Sequence, residues 1–141
     1  MSLKSVAALA IVALMSTTVA RAEIVHFAAT LTGADEVPPN TSAGHGELSA
    51  ELETAQKVLV YRATYTGLSG PAVAAHFHGP AAPGANAPPV VMIHDLASPI
   101  SGTSVLTSGQ VEDLLAGKWY FNVHTQATPS GEIRGQLKRL N

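Results

Sequence analysis

The chain has 141 residues, of which 46% are hydrophobic and 13% charged, and it contains no cysteine. That excludes disulfides and every thiolate metal centre, so a metal site here must be built on imidazole, carboxylate or thioether. The formal net charge is −2, and the one pair of adjacent basic residues after the first 22 is Lys138-Arg139; this excludes the electrostatic footprint of a nucleic-acid binder.

Residues 1–22 read MSLKSVAALAIVALMSTTVARA. A basic start (Lys4), an apolar run from Val6 to Met15 and the small-residue site Ala20-Arg21-Ala22 predict a cleaved secretory signal peptide. The run is too short to span a bilayer, and no later stretch is apolar enough to anchor the chain. The expected product is exported, periplasmic or secreted. Its mature domain covers 23–141 and keeps 6 basic residues against 10 acidic ones. A chain of that length can bury a core without disulfides.

Taken in order, the mature region alternates apolar and polar residues in short runs broken by Gly and Pro. Ile24–Thr32 places Val25, Phe27, Ala29 and Leu31 on one face. GADEVPPN (33–40) is a loop, because Pro38 and Pro39 remove two backbone donors. Residues 47–53 put Leu48, Ala50 and Leu52 inward, and 57–66 form the next strand. In 73–78, Val73, Ala75 and Phe77 take the core side and His76 and His78 the other. GPAAPGANAPP (79–89) is a stiff loop; 90–96 is a strand, and 104–106 a short one. SGQVEDLLAG breaks the alternation. Thr107 or Ser108 as cap and Gly117 as stop predict one helix near 108–116. Residues 118–125 turn Trp119, Phe121 and Val123 to the core, leaving Tyr120, Asn122 and His124 on the opposite, solvent-side face. Residues 132–140 close the sheet with Ile133 and Leu137 inward. Seven or eight strands at this spacing predict an all-β, antiparallel sandwich or barrel.

The chemistry lies in the histidines, six in all. His76 and His78 in AAHFHGP share a strand face, roughly 6.6 Å apart along the strand. Two imidazoles at that spacing can lean onto one ion at about 2.0–2.1 Å. A third ligand must come from another strand. His124, which ends a strand on the same parity, is the candidate, and His94 is a further one. His26 and His45 read as surface residues. All-imidazole sites suit copper(II), with zinc(II) the alternative. Arg134 reads as a charge partner of Glu36 or Glu132 that pins a loop. Tyr120 and Asn122 read mainly as solvent-face residues, with orienting the imidazoles as the functional alternative. No nucleophile elbow, P-loop or GxGxxG is present.

GADEVPP (33–39), GLSGPAVAAHFHGPAAPG (67–84) and LLAGKWYFNVHTQATPSGEIRGQL (114–137) together resemble the CHRD (chordin-type) domain in its single-domain secreted form. The order GHGELSAELE, VLVYRATYTGLSGP, AAHFHGP, FNVHT is more distantly similar to copper/zinc superoxide dismutases. That resemblance implies a Greek-key β-sandwich, superoxide-dismutase-like or immunoglobulin-like, and places His76, His78 and His124 at copper-ligand positions. His94 has no clean counterpart there. The zinc loop and disulfide of the dismutases are missing. The expectation is an exported protein that binds one copper ion and acts in extracytoplasmic copper handling. The rival readings are a metal-free extracellular module that binds a protein partner, as chordin's context implies, and a copper-dependent redox enzyme.

Overall fold

A computed structural model describes residues 21–141; the expected signal peptide lies almost entirely outside the described residues. The strands are β1 (Ile24–Thr32), β2 (His45–Glu53), β3 (Val58–Thr66), β4 (Ala72–His78), β5 (Pro89–Met92), β6 (Ile100–Val105), β7 (Tyr120–Thr125), β8 (Ile133–Gln136) and β9 (Lys138–Arg139). One helix, α1 (Ser108–Leu115), precedes β7, and a single 3₁₀ turn (Gly33–Asp35) follows β1. All strand pairings are antiparallel.

The sheet order is β5-β4-β7-β8-β1-β2-β3-β6, with β9 pairing β1. β1, β2 and β3 form a meander, whereas β3 to β4 and β6 to β7 cross to the far part of the sheet in Greek-key fashion. The sheet curls until its two ends face each other. Tyr61 of β3 meets Phe77 of β4 edge-on, ring centres 5.0 Å apart, and Phe77 also touches Phe121 and Trp119. The result is an all-β, nearly barrel-shaped fold.

The alternation read from the sequence accounts for the core. Val25, Phe27, Ala29 and Leu31 of β1 and Leu48, Ala50 and Leu52 of β2 are buried, and each large side chain contributes about 1.5–3 kcal/mol by leaving water. Thr107 caps α1 through a reciprocal capping box with Gln110, and Gly117 ends it at φ 73°. Among the described residues no helix is long and apolar enough to cross a membrane.

Three stretches depart from expectation. Alternation turns Val73 to the core side, but it is 56% exposed. The β4–β7 register passes from Ala72↔Thr125 to Ala74↔His124, so Val73 is an extra, bulged residue turned outward. The strand expected at 90–96 ends at Met92, while that around 104–106 extends back to Ile100 to pair β3. The final strand divides: β8 pairs β7, and β9 pairs β1.

One feature governs the functional region. The outer face of β7 is shut off from solvent, with all six of its residues buried, and so are His78 of β4 and Arg134 of β8, whereas His76 is half-buried. Loop 79–88 lies across that face. Tyr120 Oη exchanges hydrogen bonds with Ala87, Arg134 donates to the Ala85 carbonyl and to Asn86 Oδ1, and Gln136 donates to the Ala81 carbonyl. Asn86 in turn donates to the Val37 carbonyl, joining this loop to the one after β1.

Candidate metal centre

His76 and His78 leave β4 on the same side, as strand parity requires. β7 is the next strand, and its register sets His76 opposite Asn122 and His78 opposite Tyr120. Cross-strand partners share a face, so His124, two residues beyond Asn122, arrives beside His76. One ligand nitrogen from each of His76, His78 and His124 lies within 4.8 Å of the others. Nitrogens bound to one ion at about 2.0–2.1 Å are at most about 4.2 Å apart, so small ring rotations complete the site. His94 is not part of the group: it lies past the end of β5 and is exposed. His26 and His45 are also exposed, His26 lying 3.4 Å from Glu51.

The hydrogen bonds around the rings show which nitrogens are free to bind. His78 Nδ1 is 2.8 Å from the Ala87 carbonyl oxygen, and His124 Nδ1 is 2.9 Å from that of Pro129. A carbonyl only accepts, so in each neutral ring Nδ1 carries the hydrogen and Nε2 carries a lone pair. Both bare Nε2 atoms point inward. His78 Nε2 and His124 Nε2 each lie 2.9 Å from Asn122 Oδ1, and His124 Nε2 is 3.1 Å from His76 Nδ1. Two lone pairs, on His78 Nε2 and His124 Nε2, thus converge beside His76, an arrangement that a cation can bridge, and backbone carbonyls that fix the tautomer are the usual support of ligating histidines. The donor set fits a transition metal.

Burial lowers the His76 pKa from its ordinary 6.5, and the neighbouring His124 and His78 lower it further. Burial also lowers that of His78, against the raising effect of the Ala87 and Asn122 contacts, with His124 and Arg134 adding to the fall. Both rings are therefore held in the neutral, ligand-competent form.

The surroundings are a second layer of order. The Tyr120 ring stacks on His78, and the Arg134 guanidinium lies over the same ring, 3.4 Å from its centre. β7 runs between β4 and β8, so the aromatic ring separates imidazole from guanidinium. Arg134 makes no ion pair with Glu36 or Glu132, which corrects the expected charge partner; its donors go to loop 79–88. Glu132 instead accepts from Ser42 Oγ (2.6 Å), Ser69 N (2.8 Å), Ser69 Oγ (2.7 Å), Thr125 Oγ1 and Thr128 Oγ1 (3.3 Å). Burial raises its pKa, but these hydrogen bonds outweigh burial and hold the carboxyl at about 2.

Glu36 is 4% exposed and its Oε1 has no hydrogen-bond partner among the described residues. Burial pushes its pKa up to about 7, against the opposing pull of Arg134, the Asn122 amide and the Val37 backbone. A side chain at Gly131, where φ is 129°, would overlap both Glu36 Oε1 and Asn122 Nδ2. The Asn122 nitrogen therefore faces Glu36 while its oxygen faces the histidines.

A comparison with known families fits this picture: the CHRD domain matches residues 27–137. The chain belongs to the CHRD domain family. No curated protein and no solved structure matches it, so the dismutase likeness has no support beyond the order of the motifs. Within the CHRD domain, three of the four histidines expected at the metal are brought together. Tyr120 and Asn122, read mainly as solvent-face residues, lie beneath loop 79–88 and against the ligands. Their parity with His124 was the available signal. Nothing in the GADEVPP loop announced that Glu36 would be buried beside them.

Proposed function

We propose that this CHRD domain binds a single transition metal ion, copper before zinc, through His76, His78 and His124, and serves in extracytoplasmic copper binding or handling. The observation that carries the reading is the convergence of three imidazole nitrogens, two of them bearing lone pairs in tautomers set by the Ala87 and Pro129 carbonyls. Copper is preferred because imidazole donors suit it and it stands above zinc in the affinity order for nitrogen sites. Export rests on the leader-like sequence of residues 1–22.

The test is metal analysis of the purified mature protein, followed by copper titration of wild type, His76→Ala and His78→Ala by calorimetry. One equivalent bound by wild type and a loss of at least about 100-fold in affinity in each variant is the expected outcome. Unchanged tight, stoichiometric binding in both variants would overturn the site. A wild type that takes up neither copper nor zinc would leave the protein-interaction reading of the CHRD module.

A further inference from the structure

Three histidines leave one question on which the chemistry of the centre turns: whether a fourth position is open to solvent, as in a reactive site, or filled by the protein. We propose that Asn122 Oδ1 is the fourth ligand, closing the centre as three imidazoles and one amide oxygen, and that Glu36 is a positioning residue that keeps this oxygen turned toward the rings. The proposal rests on the metal-binding reading above and adds its coordination.

Four observations support it. Asn122 Oδ1 is already at 2.9 Å from two of the ligand nitrogens, His78 Nε2 and His124 Nε2. Donors about 2.0–2.1 Å from one ion and roughly 90° apart around it lie about 2.9 Å from each other. This is the spacing of neighbouring ligands in the tetragonal nitrogen–oxygen geometry that copper(II) prefers. Asn122 is 3% exposed and sits opposite His76 in the β4–β7 register, so the backbone carries it to the ion together with the imidazoles. Its Nδ2 faces Glu36, across the space that Gly131 leaves empty, which distinguishes the two ends of the amide. Finally, no other His, Asp or Glu among the described residues joins the cluster, and His94, the one rival for a fourth place, is exposed beyond β5.

With a fourth protein donor in the equatorial plane, a small anion finds only the weak axial positions of tetragonal copper(II), whereas a missing donor opens an equatorial one. Wild type and Asn122→Ala are loaded with one equivalent of copper(II), and azide is added while the electron paramagnetic resonance and visible spectra are followed. The wild-type spectra should show no strong equatorial azide charge-transfer band. Asn122→Ala should bind copper at least about tenfold more weakly and develop an azide charge-transfer band, because water replaces the lost oxygen. Glu36→Ala should become azide-sensitive, and Glu36→Gln, whose amide keeps an oxygen opposite Nδ2, should recover the closed spectrum. Copper-loaded wild type that develops a strong equatorial azide charge-transfer band overturns the fourth ligand whatever the variants do, even if Asn122→Ala fails to fold. An Asn122→Ala spectrum identical to wild type, with or without azide, overturns it as well. If Glu36→Ala keeps the closed spectrum, the role of Glu36 falls while that of Asn122 stands. Wild type that binds no copper overturns the centre itself, a result separable from all of these.

Discussion

Tyr120 lies flat on His78, the two rings 4.6 Å between centres and 4° from parallel. The same tyrosine bonds through its hydroxyl to Ala87, whose carbonyl fixes the His78 tautomer. One side chain thus sets both the plane of a ligand and the position of the loop that holds its hydrogen. Tyr120→Leu should preserve the fold, read by circular dichroism, and weaken copper binding by about 10–100-fold, the usual effect of losing a group that orients a ligand. Affinity within threefold of wild type would show that the stack is packing alone.

His94→Ala should leave copper affinity and stoichiometry unchanged, since His94 is exposed and outside the cluster. The same titration used for His76→Ala measures this. A loss of an order of magnitude would mean that the segment after β5 closes onto the ion.

The pH dependence of binding follows from the depressed pKa values of His76 and His78. Ligating imidazoles must be neutral. Because the folded protein holds both below the ordinary 6.5, their protonation should begin to weaken copper binding at lower pH than it would for free imidazoles. In the metal-free protein the unfolded chain takes up these protons first on acidification, so stability is lost as pH drops below about 6.5. Competition titrations from pH 7.5 to 5 check the first point; affinity already falling above pH 7 would contradict it.

Glu132 should contribute to stability in a lower window. Its folded pKa of about 2 lies below the ordinary 4.5. The stabilisation is therefore complete above about pH 4.5 and disappears as pH falls toward 2. Glu132→Ala leaves the hydroxyls of Ser42, Ser69 and Thr125 and the Ser69 amide without their acceptor. A loss of about 3 kcal/mol or more in urea unfolding at pH 7 is expected, with little left at pH 2. A variant as stable as wild type at pH 7 would rule out this role.

Glu36 acts with the opposite sign. Its folded pKa of about 7 exceeds the ordinary 4.5, so the native state binds the proton more tightly and stability falls as pH rises from about 4.5 to 7. Glu36→Gln should remove that decline in the metal-free protein. Denaturation curves at pH 5 and pH 7 measure it, and an equal decline in both proteins would place the ionisation elsewhere.

The strands, the core and the clustering of His76, His78 and His124 were legible because each rests on a local rule. Alternation every second residue turned Val25, Phe27, Leu48 and Leu52 inward, and the same rule put His76 and His78 on one face with Phe77 on the other. The capping box and Gly117 bounded α1 for equally local reasons. Long-range contacts decided the rest. Parity says that Tyr120, Asn122 and His124 share a face, but only loop 79–88, folded back over β4, β7 and β8, makes that face an interior. The bulge that turns Val73 outward and the end of β5 before His94 depend on pairing with strands distant in sequence. So do the burial of Glu36 and the diversion of Arg134 from a carboxylate to a tyrosine ring and loop carbonyls. Side-chain direction along a strand is written in the order of residues. What covers that strand depends on segments tens of residues away, and only the folded chain brings them together.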